Sequence, residues 1–288
     1  MTQGLQAIVD GILIGGVYAI VSSGLSLVFG IMGVVNFAHA EFLMVGMFVA
    51  YFAWAILGLD PLIGSLIALV VVFLAGAGLQ RTLIRPILKA PPVAQIFLTV
   101  GLMFTLENGA LLLFGADYRS VVTSYQTESL HLGGIIVSMP YLFAFLMSVI
   151  SGGLLWAFMR YSRTGRAMRA TAQDPMAAKL VGINTDRMHQ IAFGLGVGLT
   201  AFGGAVILPY LTVYPTVGSQ YVVLMFTVVV LGGLGSVAGA VVGGLAVGVI
   251  QALSALVFPM QLQNLVLFVV FIAVLALRPS GLLKGASA

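Results

Sequence analysis

The chain has 288 residues, of which 61% are hydrophobic and only 7% are charged. Soluble globular proteins carry about 25% charged residues, so this composition excludes a soluble fold and points to a membrane protein. Because Cys is absent, thiolate metal sites, disulfides and a cysteine nucleophile are also excluded. The net charge of +4 lies in clusters between apolar runs, which favours membrane topology over nucleic-acid binding.

The apolar residues form long continuous runs rather than ten-residue alternating segments, which favours helices over a β-barrel. We therefore predict an all-α, polytopic transmembrane helix bundle. Nine spans are favoured, and eight or ten stay open because one short segment could be re-entrant. The predicted spans are 5–29, 41–58, 61–80, 94–114, 138–159, 189–209, 219–233, 237–258 and 261–277.

Basic residues set the orientation, because cytoplasmic loops are enriched in Lys and Arg. Eleven of the 12 basic residues fall into three clusters, and Arg119 is the exception. We therefore assign these clusters to the cytoplasm. The loop 115–137 and the N-terminus are then outside, and the C-terminus is inside. No Lys or Arg precedes Arg81, so we expect no cleaved signal peptide. The clusters are Arg81, Arg85 and Lys89; Arg160, Arg163, Arg166, Arg169, Lys179 and Arg187; and Arg278 and Lys284.

Two regions repeat at an offset of 202 residues, with 8 identities in 21 positions between 30–50 and 232–252. The two copies would share one orientation, which predicts a parallel internal repeat; chance identity in a Gly- and Ala-rich chain is the alternative. Each copy starts with glycines that we expect to break or re-enter a helix, since irregular backbone at membrane depth is tolerated only inside protein or beside water. These glycines are Gly30, Gly33, Gly232, Gly233 and Gly235.

No catalytic constellation, metal-ligand spacing or phosphate-binding loop is present, so the sequence argues against an enzyme. Ionisable residues inside spans are functional candidates by default, and Glu41 and Glu107 are the two examples. Asn36 and His39 precede Glu41 in a polar cluster just after the first glycine break. These four residues are predicted to line a translocation pathway. The alternative is a structural hydrogen bond to a neighbouring helix or an interfacial position.

The central basic loop contains one short helix with signals at both ends. Asp174 followed by Pro175 is an N-cap and N1 pair, and Gly182 suits the position after the C-cap. The predicted helix spans 175–181 and is too short to persist alone in water. Such a helix suits docking into a groove of another protein; packing on its own bundle is the alternative. Its low profile and apolar anchors come from Met176, Ala177, Ala178 and Leu180.

Motifs spread between about residues 8 and 282 closely resemble permease subunits of branched-chain amino acid ABC transporters, specifically the H-type subunit. These motifs are GLSLVFG (24–30), NFAHAE (36–41), TGRAMRA (164–170), QD (173–174), AA (177–178), GIN (182–184) and GGLGS (232–236).

This resemblance implies one transmembrane permease domain over 1–288, with a cytoplasmic coupling loop at 160–188 whose ATPase-contacting segment is 174–182. It also implies a second permease subunit, which would form a heterodimer with this chain, together with two cytoplasmic ATPases and a periplasmic binding protein. This chain would bind no cofactor and would lie in the bacterial inner membrane, and the ATPases would use ATP and Mg. The same superfamily imports urea, amides and aromatic acids, so cargo stays open. The rival functions are a secondary transporter, with a proton site at Glu41 or Glu107, and a non-transporting scaffold.

Overall fold

The computed structural model describes residues 2–278 and 281–282. Within these residues, seven helical segments are long and apolar enough to cross a membrane, and two shorter apolar helices lie at 217–232 and 265–277. The fold is thus the predicted all-α polytopic bundle, while the count of nine crossings stays a prediction. The helices are α1 (Thr2–Met32), α2 (Glu41–Leu57), α3 (Pro61–Leu79), α4 (Arg85–Ile87), α5 (Pro92–Phe114), α6 (Met139–Tyr161), α7 (Arg163–Gln173), α8 (Pro175–Leu180), α9 (Thr185–Ile207), α10 (Val217–Gly232), α11 (Val237–Val257) and α12 (Met260–Leu277).

Polar side chains just before several helices satisfy the backbone N–H groups that a helix start leaves unpaired. The side chain of Asp60 accepts from the Leu62 N–H at 2.8 Å, ahead of Pro61 at the first position of α3. Three further caps start α7, α9 and α11. They are Ser162, Asn184 and Ser236.

α1 and α9 form the centre of the bundle, and most of each apolar span is buried inside the protein. α9 packs against α1, α2 and α3, and α1 packs against α11. Gly24 of α1 lies so close to α9 that a methyl group there would overlap the carbonyl oxygen of Gly196. Gly46 of α2 would overlap Ala201 in the same way. Small residues permit this close packing, which in lipid replaces the hydrophobic force that joins helices in water.

One end of the bundle carries an antiparallel hairpin that the sequence analysis did not anticipate. Strands β1 (Ser129–Leu132) and β2 (Ile135–Ser138) pair with Leu130 opposite Val137. The Gln6 side chain ties the hairpin to α1, because its amide accepts from the Ile136 N–H at 2.9 Å and donates to the Ile136 carbonyl at 2.7 Å. At the same end, Tyr125 donates to Asp60 at 3.1 Å.

The opposite end gathers the basic residues that the structure describes, apart from Arg119. Arg85 forms an ion pair with Asp186 at 2.5 Å, which joins two of the basic clusters. Beside the third cluster, the Leu282 N–H donates to the Leu231 carbonyl at the end of α10 at 2.8 Å. This end is called the basic rim below. Lys284, which was predicted to belong to the third cluster, lies outside the described residues.

The basic rim also contains α7, which the sequence analysis missed. Its inward residues Gly165, Met168 and Thr171 are buried, whereas Arg163 and Arg166 are exposed. The search for long apolar runs could not detect α7, because a surface helix buries only one stripe of its side chains.

Candidate functional site

α8 has the capped geometry that its flanking residues predict. An Asp174 carboxylate oxygen accepts from the N–H groups of Met176 at 2.8 Å and Ala177 at 3.0 Å. At the other end, the N–H of Gly182 donates to Lys179 and that of Ile183 donates to the carbonyl of residue 178, both at 3.0 Å. This paired arrangement is a Schellman motif, and it requires the left-handed φ of +85° that Gly182 adopts.

The outward face of α8 is apolar. Met176, Leu180 and Val181 are 75%, 85% and 76% exposed, beyond the helices that could lie in lipid. Ala178 faces the opposite way and is only 3% exposed. The expectation that Ala178 offers a low profile to a partner is therefore wrong, because this side chain packs on its own chain.

Three of the predicted pathway residues meet at the first break between helices. A 3₁₀ turn at Phe37–Ala40 joins this break to α2, and Asn36 caps it by accepting from the Ala38 N–H at 3.1 Å. His39 Nε2 lies 2.8 Å from the Thr200 hydroxyl of α9. Asn36, His39 and Glu41 are each at most 1% exposed, so the structure places them inside the chain. Their role in a pathway stays a prediction.

Glu41 begins α2 with both carboxylate oxygens buried and without a hydrogen-bond partner among the described residues. Its neighbour is Gly218 of α10, where a methyl group would overlap the carboxylate. Glu107 lies on α5, which packs against the 3₁₀ turn, and is half-buried. The structure thus brings α5 and α10 to the Glu41 region, although these segments are distant in sequence.

The two glycine breaks share a backbone geometry and touch each other. Gly33 and Gly235, which correspond in the predicted repeat, adopt left-handed φ values of +67° and +82°. Gly30 lies so close to Gly235 that an added Cβ would be 2.6 Å from the carbonyl oxygen of Gly235. Both breaks therefore require glycine, and the repeat itself stays a prediction.

A polar cavity of about 440 Å³ lies between α1, α10, α11 and α12. The Tyr18 hydroxyl donates to Gln251 at 2.7 Å across it. Among the side chains that the structure describes, its lining combines uncharged polar groups with apolar side chains and contains no Asp, Glu, Lys or Arg. Ionisable residues within the spans do not indicate this cavity; the glutamines inside apolar runs are its signal in the sequence. The other polar groups of the lining are Gln220, Tyr221, Thr227 and Gln263.

Comparison with known proteins decides what kind of membrane protein this is. The sequence profile of the family described as the permease component of the branched-chain amino acid transport system matches residues 7–275. The chain belongs to this permease family. It is accordingly a multi-pass membrane protein and a permease subunit of an ABC importer.

Individual relatives of the permease agree with its assignment to this family. The high-affinity branched-chain amino acid transport system permease protein BraD of Pseudomonas aeruginosa is 31% identical, over 97% of this chain and 95% of BraD. The corresponding permease protein LivH of Escherichia coli is also 31% identical, over 97% and 95%. The fructose import permease protein FrcC of Rhizobium meliloti is 35% identical over 33% of this chain and 29% of FrcC. No solved structure gives a significant match to the permease.

Proposed function

We propose that the chain forms half of the inner-membrane pathway of a bacterial importer for branched-chain or related amino acids. A second permease subunit would complete the pathway, and a periplasmic binding protein would deliver the cargo. Support comes from BraD and LivH, which are named for branched-chain amino acid transport and match nearly the whole chain. The chain is a single permease domain, 1–288, whose segment 160–188 is the coupling loop.

The observation that carries this proposal is the apolar outward face of α8. Met176, Leu180 and Val181 lie exposed on a capped helix at the basic rim. Exposed apolar clusters outside lipid mark protein interaction sites, and a preformed helix with apolar anchors suits a groove in a partner. α8 is therefore the docking element for a cytoplasmic ATPase, and two such subunits would use ATP and Mg on behalf of the permease.

The orientation follows from the same rim. Ten of the described Lys and Arg residues lie in the three basic clusters, and the positive-inside rule assigns such loops to the cytoplasm. This assignment leaves the N-terminus and the hairpin outside and brings the C-terminus inside. It also presents α8 to the compartment that contains ATP.

The cargo pathway is assigned to neutral polar surface. The cavity beside Tyr18 and Gln251 offers hydrogen-bonding groups without a fixed charge. Conduction requires binding that is weak enough to allow release, and uncharged groups fulfil this requirement for a zwitterionic amino acid. The break residues Asn36, His39 and Glu41 would then support the pathway wall.

Cargo other than an amino acid is the first alternative, and urea, short amides and aromatic acids remain in this class. FrcC, a fructose import permease, is similar to a third of this chain, so part of the sequence resembles a permease named for a sugar. A secondary transporter is the second alternative. The buried Glu41 carboxylate, which has no hydrogen-bond partner among the described residues, favours it because such a group could carry a proton.

The test is reconstitution of the chain with its genomically neighbouring permease, ATPases and binding protein in liposomes. We expect leucine uptake that needs both ATP and the binding protein and continues after the proton gradient is dissipated. Uptake that survives removal of ATP but stops with the proton gradient would establish the secondary transporter instead. ATP-dependent uptake of another solute in preference to leucine would change only the cargo.

A further inference from the structure

A furrow opens at the basic rim between α1, α6 and α11. Leu27 of α1 contributes to its floor, and Trp156 of α6 and Val241 of α11 contribute to its walls. The enclosed space is about 300 Å³ and its lining is mainly apolar. Along α6 the lining extends from Gly152 to Arg160, which is about 12 Å at the helical rise of about 1.5 Å per residue.

The end of the furrow at the rim is positively charged. Arg160 and Arg169 both line it and both are exposed. Arg169 is held in place by donating to the Met159 carbonyl. Among the described residues, the one ion pair joins Arg85 and Asp186. Neither Arg160 nor Arg169 is therefore paired with a carboxylate of the described chain. The furrow therefore has an apolar length and an uncompensated cationic end.

Neighbouring residues place this cationic end at the level of lipid headgroups. Trp156 contacts Tyr161 edge to face, with ring centroids 5.7 Å apart, at the end of α6. Trp and Tyr concentrate at the membrane–water interface. The next helix, α7, is amphipathic and exposes Arg163 and Arg166, which is typical of a helix lying in the plane of an anionic membrane surface.

We propose that the furrow binds one anionic phospholipid from the cytoplasmic leaflet. The phosphate lies between Arg160 and Arg169, since guanidinium groups form strong charge-assisted hydrogen bonds with phosphate. One acyl chain runs along α6 past Trp156 and Gly152. Basic pockets between membrane helices on the cytoplasmic side are known to take such headgroups. The proposal is independent of the cargo, because it uses none of the polar cavity around Gln251.

The experiment measures lipid binding to the full-length chain, purified with its partner subunits, by native mass spectrometry. Dioleoyl phosphatidylglycerol is titrated against dioleoyl phosphatidylcholine, and we expect preferential retention of phosphatidylglycerol. Arg160→Gln should weaken its binding about fivefold, and the double variant with Arg169→Gln about thirtyfold. Arg187→Gln is the matched control, because this arginine is exposed at the rim but does not line the furrow; lipid binding by this variant should be close to wild type.

A second pair of variants tests the apolar part of the furrow without changing charge. An added Cβ at Gly152 or at Gly153 meets no atom within 4 Å, so leucine fits at either position without a clash at its first carbon. Gly152→Leu fills the furrow and should reduce phosphatidylglycerol binding, whereas Gly153→Leu lies outside the lining and should not.

Three results would overturn the proposal. Equal losses in Arg187→Gln and Arg160→Gln would indicate diffuse surface charge rather than a site. Displacement of the lipid by millimolar glycerol phosphate would indicate a site for a soluble phosphate. A photoreactive side chain at position 152 that cross-links to a partner subunit and not to lipid would show that protein covers the furrow.

Discussion

Leu180→Ala tests the docking role of α8, and its effect follows from the exposure of one side chain. Leu180 is 85% exposed in the isolated chain, so nearly all of its apolar surface is available for burial by an ATPase. The substitution removes three carbon atoms, each worth about 0.8 kcal/mol when buried. Scaled by the exposure, the loss is about 2 kcal/mol, which corresponds to about thirtyfold weaker association.

The stability of the membrane bundle should be unaffected by Leu180→Ala, because this side chain is exposed in the isolated chain. Ala is the better helix former, and removing an exposed side chain leaves no cavity. The assay is a titration of the ATPase subunits onto the permease in nanodiscs, followed by ATP-driven leucine uptake in liposomes. Leu132→Ala is the control, because Leu132 is also exposed but lies on the hairpin at the opposite end of the bundle.

Loss of the Asp174 cap should give a related defect. Asp174→Ala removes two hydrogen bonds from the start of α8, which costs about 0.5–2 kcal/mol of helix stability. We therefore expect ATPase binding to weaken by up to about thirtyfold, and Asp174→Asn to restore most of it. Unchanged ATPase affinity in both Leu180→Ala and Asp174→Ala would show that α8 is not the docking element.

Three other predictions address the bundle, the cavity and the topology. Gly46→Ala should destabilise the α2–α9 contact by about 1–3 kcal/mol and so lower the melting temperature in detergent. Gly78→Ala is the control and should leave the melting temperature unchanged, because a Cβ there meets no atom within 4 Å. Equal melting temperatures for the two variants would contradict this packing. Gln251→Leu should slow uptake without loss of assembly if the polar cavity serves the cargo, and wild-type uptake kinetics would remove it from the pathway. The chain has no Cys, so a single introduced Cys reports on one position. A Cys at exposed Gln173 should resist an impermeant thiol reagent added outside cells, whereas a Cys at exposed Ser124 should react. The reverse labelling pattern would show that the orientation is inverted.

The sequence by itself determined that the chain lies in a membrane, and it determined the fold class and the family. Long apolar runs with few charges have no stable alternative to membrane helices, and this requirement is local to each run. The ends of α8 were predictable for the same reason, since Asp174 and Gly182 act on backbone groups within a few residues. α7 was missed because it buries only one short stripe of side chains, and the hairpin was missed because its strands are only four residues long and mostly exposed.

Only the tertiary structure decided which side chains face inward and which cavities exist. Ala178 and Leu180 lie two residues apart in one short helix, yet Ala178 is buried and Leu180 exposed, because the rest of the chain covers one side of α8. Glu41 has no basic residue near it in sequence, and its burial against Gly218 depends on α10. The cavity beside Tyr18 and Gln251 joins residues 233 positions apart. Such sites depend on how helices pack across the bundle, and that packing is set by the close approach of small residues rather than by local sequence pattern.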